Sequence, residues 1–234
     1  MRKKIIPGLS RLSAPDHPSA KVPYNEQLSR YITDLFAVQD ESLRNVRQEI
    51  AQAGMPTISI RPEEGRFLQF LVKALGARKA LEIGTLGGYS GIWIARGLLP
   101  GGSLITLEVN PSNAEVARSN FEIAGVADRI DLRLGDAHQL LPGLSVEGPF
   151  DFIFIDAEKP GYPAYLDWAL ENTRLGGVLA AHNAFRRGSV AGLVPDDQFT
   201  DITRAFNQRV AQDPRLISTI YPAGDGTVIA LKIA

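Results

Sequence analysis

The sequence predicts an α/β fold of the doubly wound type, with a mostly parallel sheet, one antiparallel strand and a helical N-terminal cover. After Gly76, short apolar runs alternate with helical stretches, which is the pattern of parallel strands joined by right-handed crossovers. Near the C-terminus, Gly224-Asp225-Gly226 separates two apolar runs, and such a turn is typical of a β-hairpin. The hairpin makes one strand antiparallel to the others.

The individual elements follow from the local patterns. Apolar residues at helical spacing begin near Tyr24 and predict three helices before Gly76. Pro62 suits the first turn of the third helix, and Glu63 and Glu64 favour the positive end of its dipole. Strands are predicted at 80–83, 103–107, 130–134, 150–155, 177–181, 216–221 and 227–233, and later helices at 89–98, 111–124, 162–172 and 197–212.

The length and composition limit the class of protein. The chain of 234 residues suits one large domain at 24–234, preceded by a proline-rich, irregular lead-in at 1–23. A net charge of −1 gives no general attraction to nucleic acid or to an anionic membrane. The absence of cysteine excludes disulfides and thiolate nucleophiles, and no apolar run is long enough to span a membrane. We therefore expect a cytoplasmic protein.

The glycine-rich run at 82–90, EIGTLGGYS, lies where the first strand becomes a helix. Open α/β sheets bind ligands at the carboxyl ends of their strands. Glycines at such a position let the backbone approach a ligand, and the N-terminus of the following helix offers free N–H groups. A tight turn without a ligand is the alternative. Because the spacing is not Gly-x-Gly-x-x-Gly, the run argues against the rival hypothesis of an NAD-dependent oxidoreductase.

Two acidic residues follow the next strands. Glu108 ends the second strand, where a carboxylate can accept hydrogen bonds from both ribose hydroxyls of an adenosine-containing cofactor; a plain surface acid is the alternative. Asp136 follows the third strand, where it suits the adenine edge or, equally, the cap of a helix.

A second polar cluster follows the fourth and fifth strands. Asp156 and Lys159 come directly after the apolar fourth strand. They could form a plain ion pair, or Asp156 could be a metal ligand and Lys159 a general base. His182 and Asn183 end the fifth strand, and with Asp156 they make a mixed oxygen and nitrogen ligand set. A hydrogen-bonded structural role is the alternative for His182.

The order of these motifs resembles the caffeoyl-CoA and catechol O-methyltransferase family, from about residue 24 to the C-terminus. The resemblance is carried by the runs at 62–68, 82–90, 135–137, 150–159 and 224–226. It implies a seven-stranded Rossmann-like methyltransferase fold that binds S-adenosylmethionine. It also implies that the acceptor is a small phenolic molecule and that the protein forms a homodimer. It further implies Lys159 and Asp156 as catalytic residues, and cofactor contacts from Ile60, Glu82, Gly84, Thr85, Ser90, Glu108, Asp136, Ala137, Asp156 and Glu158.

The sequence departs from the family at the metal site that the resemblance implies. The family's Asp-Asn pair after the fifth strand is replaced by His182 and Asn183, which together with Asp156 would hold a divalent ion. Loss of one negative charge disfavours Mg²⁺, whereas Mn²⁺ and Zn²⁺ tolerate nitrogen ligands. Arg186 stands in place of the usual aromatic residue, and Arg187 occupies a position associated with the acceptor.

Three alternatives follow from this departure. The chain is a methyltransferase with an altered metal site, a metal-independent methyltransferase acting on another small molecule, or a non-catalytic protein that binds S-adenosylmethionine. The joint presence of Glu82, Glu108, Asp156 and Lys159 argues against the non-catalytic alternative.

Overall fold

The computed structural model describes residues 24–234, and the lead-in predicted at 1–23 lies outside the described residues. The strands are β1 (Lys79–Ile83), β2 (Ser103–Glu108), β3 (Ile130–Leu134), β4 (Phe150–Ile155), β5 (Thr173–His182), β6 (Leu216–Tyr221) and β7 (Thr227–Lys232). The α-helices are α1 (Glu26–Phe36), α2 (Glu41–Gln52), α3 (Pro62–Ala74), α4 (Tyr89–Gly97), α5 (Pro111–Ile123), α6 (Ala137–Leu144), α7 (Tyr162–Asn172) and α8 (Thr200–Gln212). None of these helices has the length and apolar character that a membrane crossing requires.

The strands form one sheet in the order β3-β2-β1-β4-β5-β7-β6. Strand β7 runs antiparallel to both β5 and β6, and the other strand pairs are parallel, which confirms the predicted single antiparallel strand. The chain moves outward in one direction from β1 to β3 and in the other direction from β4 through β5 to β6, and β7 then returns between β5 and β6. The order therefore reverses between β1 and β4, and the carboxyl ends of these two strands flank the crevice where such sheets bind ligands.

Alternating side chains of the central strands pack into two apolar layers. Phe152 and Phe154 of β4 face a core shared with helices α2 to α5, whereas Ile153 and Ile155 face a core shared with α6, α7 and α8. Both faces of β4 are thus buried, which explains its nearly continuous apolar sequence. The two layers hold the carboxyl ends of β1 and β4 rigidly side by side.

The N-terminal helices cover one face of this framework. Helix α3 begins with Pro62 at its first position, as predicted, and Glu63 accepts hydrogen bonds from Tyr24, Ser29 and Thr33 in and beside α1. A buried carboxylate with three hydroxyl donors ties α1 to α3.

The sequence-based elements differ from the structure in three places. Helix α6 was not predicted, because it has only eight residues and includes Pro142 and Gly143. Strand β5 begins at Thr173 rather than 177, since Gly176 and Gly177 obscured its first half. Helix α8 begins at Thr200, because residue 197 belongs to the preceding turn.

Candidate active site

Gly84 lies at the seam between β1 and β4. Its φ is +98°, and a Cβ at this position would lie 2.2 Å from the carbonyl oxygen of Asp156. Asp156 in turn donates its backbone N–H to Ile83 O at 2.9 Å. Only glycine permits this close approach with a positive φ, so the predicted glycine turn is where the two halves of the candidate site meet.

The carboxyl ends of β1 and β2, here called the β1–β2 edge, hold a closed network of hydrogen bonds. Glu82 is fully buried and accepts from Ser90 Oγ and Thr106 Oγ1, each at 2.6 Å. Thr85 Oγ1 lies 2.6 Å from Thr106 Oγ1. Burial raises the pKa of Glu82 to about 7, against the lowering effect of Ser90 and Thr106. The buried carboxylate of Glu82 therefore fixes the side-chain orientation of Ser90 at the start of α4.

Glu108 lies beside this network and engages the glycine turn directly. Its Oε2 accepts the backbone N–H of Leu86 at 2.7 Å, and its Oε1 accepts that of Asn110 at 2.9 Å. Leu86 has a φ of +49°, so the turn is held in a strained conformation at the point where a cofactor would approach. The carboxylate is fixed at the strand end, as its predicted ribose-binding role requires.

The remaining predicted cofactor residues lie to either side. Asp136 caps α6 through His138 N at 2.8 Å, so the predicted capping role is observed, and Ala137 is the first residue of that helix. Glu158 is half exposed between His138 and Tyr165 and accepts from Tyr165 Oη at 2.5 Å. Ile60 is buried in the apolar core on the α2–α5 face. The cofactor contacts of these residues stay predictions.

The carboxyl ends of β4 and β5, here called the β4–β5 edge, hold alternating charges. The imidazole of His182 lies between two carboxylates, with Nε2 3.0 Å from Glu64 Oε1 and Nδ1 3.2 Å from Asp156 Oδ2. Among the described residues Nδ1 has no hydrogen-bond partner that meets the full geometric criteria, and the carboxylate of Asp156 is the group closest to an ion pair with it. Burial alone would lower the pKa of His182, but Asp156 and Glu64 raise it to about 10.

Asp156 keeps its negative charge in this arrangement. Burial would raise the pKa of its carboxyl, yet His182 and Lys159 hold it below its ordinary value. Its side chain is 24% exposed, whereas that of His182 is only 6% exposed. Asp156 is therefore the member of this group that faces the crevice.

Lys159 is buried beside Asp156 and Tyr162. Its Nζ lies 4.0 Å from Asp156 Oδ1, donates to Tyr162 Oη at 2.5 Å and donates to the Ala157 carbonyl at 3.2 Å. Tyr162 Oη in turn donates to the His182 carbonyl at 3.1 Å. Burial lowers the pKa of Lys159, although Asp156 opposes this effect. A lysine with a lowered pKa can hold the neutral amine that a general base requires.

The loop after β5 is clamped by the terminal hairpin. Asn183 has a φ of +61° and donates its side-chain amide to Asp225 Oδ2 at 3.1 Å. Asp225 Oδ1 accepts the backbone N–H of Arg187 at 2.5 Å. Arg186 pairs with Asp197 and stacks on Phe199, whereas the side chain of Arg187 is exposed without an ion pair in residues 24–234.

The metal ligands predicted from sequence are brought close together only in part. No three His, Asp or Glu side chains of the described segment are placed to hold a metal ion, because Asp156 and Glu64 contact opposite nitrogens of His182. Nδ1 and Asp156 Oδ2, however, are 3.2 Å apart, which fits two ligands that share one cation at about 2.1 Å each. With Nε2 engaged by Glu64, Nδ1 fits a metal-ligating histidine whose other nitrogen contacts a carboxylate, once the metal displaces the Nδ1 proton that a pKa of about 10 implies.

Sequence reasoning missed three residues at this edge. Tyr162 was hidden among apolar residues at the start of α7, and Glu64 was interpreted only as an acid favouring the dipole of α3. Asp225 was interpreted only as part of a turn. Glu64 and Asp225 reach the site from elements distant in sequence, so no local pattern identifies them, whereas Tyr162 lies only three residues after Lys159.

The fold and the site together define a class of protein. A doubly wound sheet with a glycine turn and an acid after β2 at its switch point suits an adenosine-containing cofactor, and the terminal β6–β7 hairpin separates it from common dinucleotide-binding sheets. The buried lysine and acid next to that edge add the groups of a transferase active site.

The comparisons with known proteins agree with this class. Residues 33–233 match the O-methyltransferase family model. The chain is 42% identical to a catechol O-methyltransferase of Niastella koreensis over 83% of this chain and 89% of that protein, and 43% identical to one of Mycobacterium tuberculosis over 89% and 96%. Among solved structures, an O-methyltransferase of Bacillus cereus in complex with SAH has a TM-score of 0.82 and 41% identity over 88% of this chain and 97% of its own.

The chain therefore belongs to the O-methyltransferase family, as the resemblance implied. It is an S-adenosylmethionine-dependent O-methyltransferase that acts on a small molecule. This result removes the oxidoreductase and the non-catalytic alternatives.

Proposed function

We propose that the enzyme methylates a hydroxyl group of a catechol-like phenol, with Lys159 as the general base. The observation that carries this proposal is the buried Lys159, whose pKa is lowered by burial and whose Nζ lies between Asp156 and Tyr162. The similarity to two bacterial catechol O-methyltransferases supports the acceptor class.

The reaction requires mainly alignment and a deprotonated acceptor. The methyl group of a sulfonium is already activated, so an acceptor oxygen attacks it in line while the carbon–sulfur bond breaks. The acceptor proton passes to the neutral amine of Lys159, and S-adenosylhomocysteine and a methyl ether are the products. Gly84 and Glu108 would place the cofactor at the β1–β2 edge, directly beside Asp156.

A divalent ion would be held by Asp156, by Nδ1 of His182 and by the side-chain oxygen of Asn183. When bound, such an ion lowers the pKa of coordinated hydroxyls and orients two vicinal oxygens. Because one ligand is a nitrogen, we expect Mn²⁺ or Zn²⁺ to bind more tightly than Mg²⁺.

A metal-independent methyltransferase is the second candidate. It is favoured by the position of the His182 ring, which spans the gap between Asp156 and Glu64 and contacts both carboxylates. In this case Lys159 alone would activate the acceptor, and a vicinal pair of hydroxyls would not be needed.

Calorimetric titration of Mn²⁺, Zn²⁺ and Mg²⁺ into the protein saturated with S-adenosylhomocysteine separates the two candidates. Stoichiometric binding that disappears in Asp156→Ala supports the metal site, and turnover of catechol but not of phenol then supports the acceptor class. Absence of binding by all three ions, together with turnover in EDTA, would leave the metal-independent candidate. No turnover of any catechol would contradict the proposed acceptor.

We also propose a homodimer. Tyr31, Leu35 and Phe36 of α1 and Phe70 of α3 are large apolar side chains that are more than half exposed, and together with Val38 they offer surface for a subunit contact. Light scattering coupled to gel filtration tests this prediction, and a monomeric mass at micromolar concentration would contradict it.

A further inference from the structure

Glu64 is a buried carboxylate to which neither the family resemblance nor the proposed reaction assigns a role. It lies in the first turn of α3, and its side chain is only 3% exposed. Its Oε2 accepts the backbone N–H of Arg61 at 2.9 Å, while its Oε1 lies 3.0 Å from Nε2 of His182, 118 residues away in the chain. The ionised carboxylate of Glu64 can only accept, so its contact with Nε2 requires a proton on that nitrogen.

The terminal hairpin fixes Glu64 in this position. Gly224 has a φ of +58°, and a Cβ there would lie 2.3 Å from Glu64 Oε2. The same turn contributes Asp225, which holds Asn183 and the backbone of Arg187. The hairpin therefore packs against Glu64 next to His182, and through Asp225 it also holds the loop after β5.

We propose that Glu64 is a positioning residue that holds the proton of His182 on Nε2 and thereby turns Nδ1 toward Asp156. The geometry is that of a ligating histidine whose second nitrogen is fixed by a carboxylate, an arrangement that sets the tautomer and the orientation of the ring. The expected effect of Glu64 on metal affinity rests on the proposed metal site, whereas the position of the proton on the His182 ring does not.

Glu64→Gln is the informative variant, because an amide has one acceptor and one donor where the carboxylate has two acceptors. The amide oxygen must choose between Arg61 N–H and His182. If it keeps the helix cap, the amide nitrogen faces Nε2, which must give up its proton, and the one proton left on the ring stays on Nδ1 beside Asp156. Metal binding at Nδ1 is then blocked.

Glu63→Gln is the matched control. Glu63 is the neighbouring buried carboxylate of the same helix turn, but its side-chain hydrogen bonds lead to Tyr24, Ser29 and Thr33. The Glu63→Gln substitution therefore removes one negative charge from the same helix turn without changing a contact of His182. We expect Glu63→Gln to leave the affinity for metal within about twofold of the wild type.

The test combines nitrogen-15 NMR of the His182 ring with titration of Mn²⁺ and Zn²⁺ in the presence of S-adenosylhomocysteine. We expect a protonated Nε2 in the wild type and in Glu63→Gln, loss of that proton in Glu64→Gln, and a metal affinity about 10–100-fold weaker in Glu64→Gln. An unprotonated Nε2 in the wild type would overturn the proposal even if the variant failed to fold. An unchanged ring and unchanged metal affinity in Glu64→Gln would overturn it as well.

The outcomes separate this inference from the proposed metal site. If the wild type binds none of the ions, the metal site fails, and the position of the ring proton alone decides the role of Glu64. Loss of the Nε2 proton in Glu64→Gln but not in Glu63→Gln would still support that role, whereas retention in both would contradict it.

Discussion

The carboxylates at the β1–β2 edge and at the β4–β5 edge have different kinds of partners. At the β1–β2 edge, Glu82 and Glu108 accept hydrogen bonds from hydroxyl groups and backbone N–H groups. At the β4–β5 edge, Asp156 and Glu64 contact the ring of His182, and Lys159 lies close to Asp156. Neutral donors make the first edge a rigid receptor, whereas alternating charges make the second edge suited to proton transfer.

The comparison predicts that variants at the two edges damage different steps. A change at the β1–β2 edge should weaken cofactor binding, because its groups face the predicted cofactor position. A change at the β4–β5 edge should slow turnover and leave cofactor binding intact.

Lys159→Met is expected to have the largest effect. Loss of a general base lowers kcat by about 10²- to 10⁴-fold, while the affinity for S-adenosylhomocysteine stays within about twofold. Lys79→Met is a suitable control, since Lys79 lies at the opposite end of β1 and donates to the Glu147 carbonyl. A kcat close to that of the wild type would show that Lys159 is not the base.

Gly84→Ala tests the seam where the two edges meet. The new Cβ would collide with the Asp156 carbonyl at a positive φ, so we expect the free energy of unfolding to fall by about 2–5 kcal/mol. Gly125→Ala shares the positive φ but has open space around it, and it should lose only about 1–2 kcal/mol. Equal losses in chemical denaturation would mean that the seam is not tightly packed.

Glu82→Gln tests the neutral character of the β1–β2 edge through the pH dependence of stability. The pKa of Glu82 is raised to about 7, mainly by burial, from an ordinary value of 4.5, so its contribution to stability is complete below pH 4.5 and is lost as pH rises through 7. The variant lacks this loss and should gain on the order of 3 kcal/mol relative to the wild type between these limits. Parallel stability curves for the two proteins would contradict the raised pKa.

Glu108→Ala is expected to have an effect no larger than that of Glu82→Gln. Two hydrogen bonds from ribose hydroxyls to a carboxylate contribute about 3 kcal/mol, which corresponds to a loss of roughly 100-fold in affinity for S-adenosylhomocysteine. Glu115→Ala, an exposed acid on α5, should bind normally. If Glu108→Ala also bound normally, the ribose hydroxyls would be held by another group.

The sequence predicted the β1–β2 edge better than the β4–β5 edge, and the reason is distance along the chain. Glu82, Gly84 and Ser90 lie in one strand–turn–helix segment, so their proximity follows from local geometry alone. At the β4–β5 edge the strand ends were predicted correctly, and with them the proximity of Asp156 and His182. The partners Glu64 and Asp225 come from α3 and the terminal hairpin, whose approach no local pattern encodes.

The sequence by itself determined the α/β class, the single antiparallel strand and the glycine turn, because periodicity and turn chemistry are local properties of the chain. Only the tertiary structure decided that Glu64 contacts His182 and that the Tyr162 hydroxyl donates to the His182 carbonyl. Those contacts depend on how helices pack onto the two faces of the sheet, and packing is settled by the fit of whole layers rather than by any one segment.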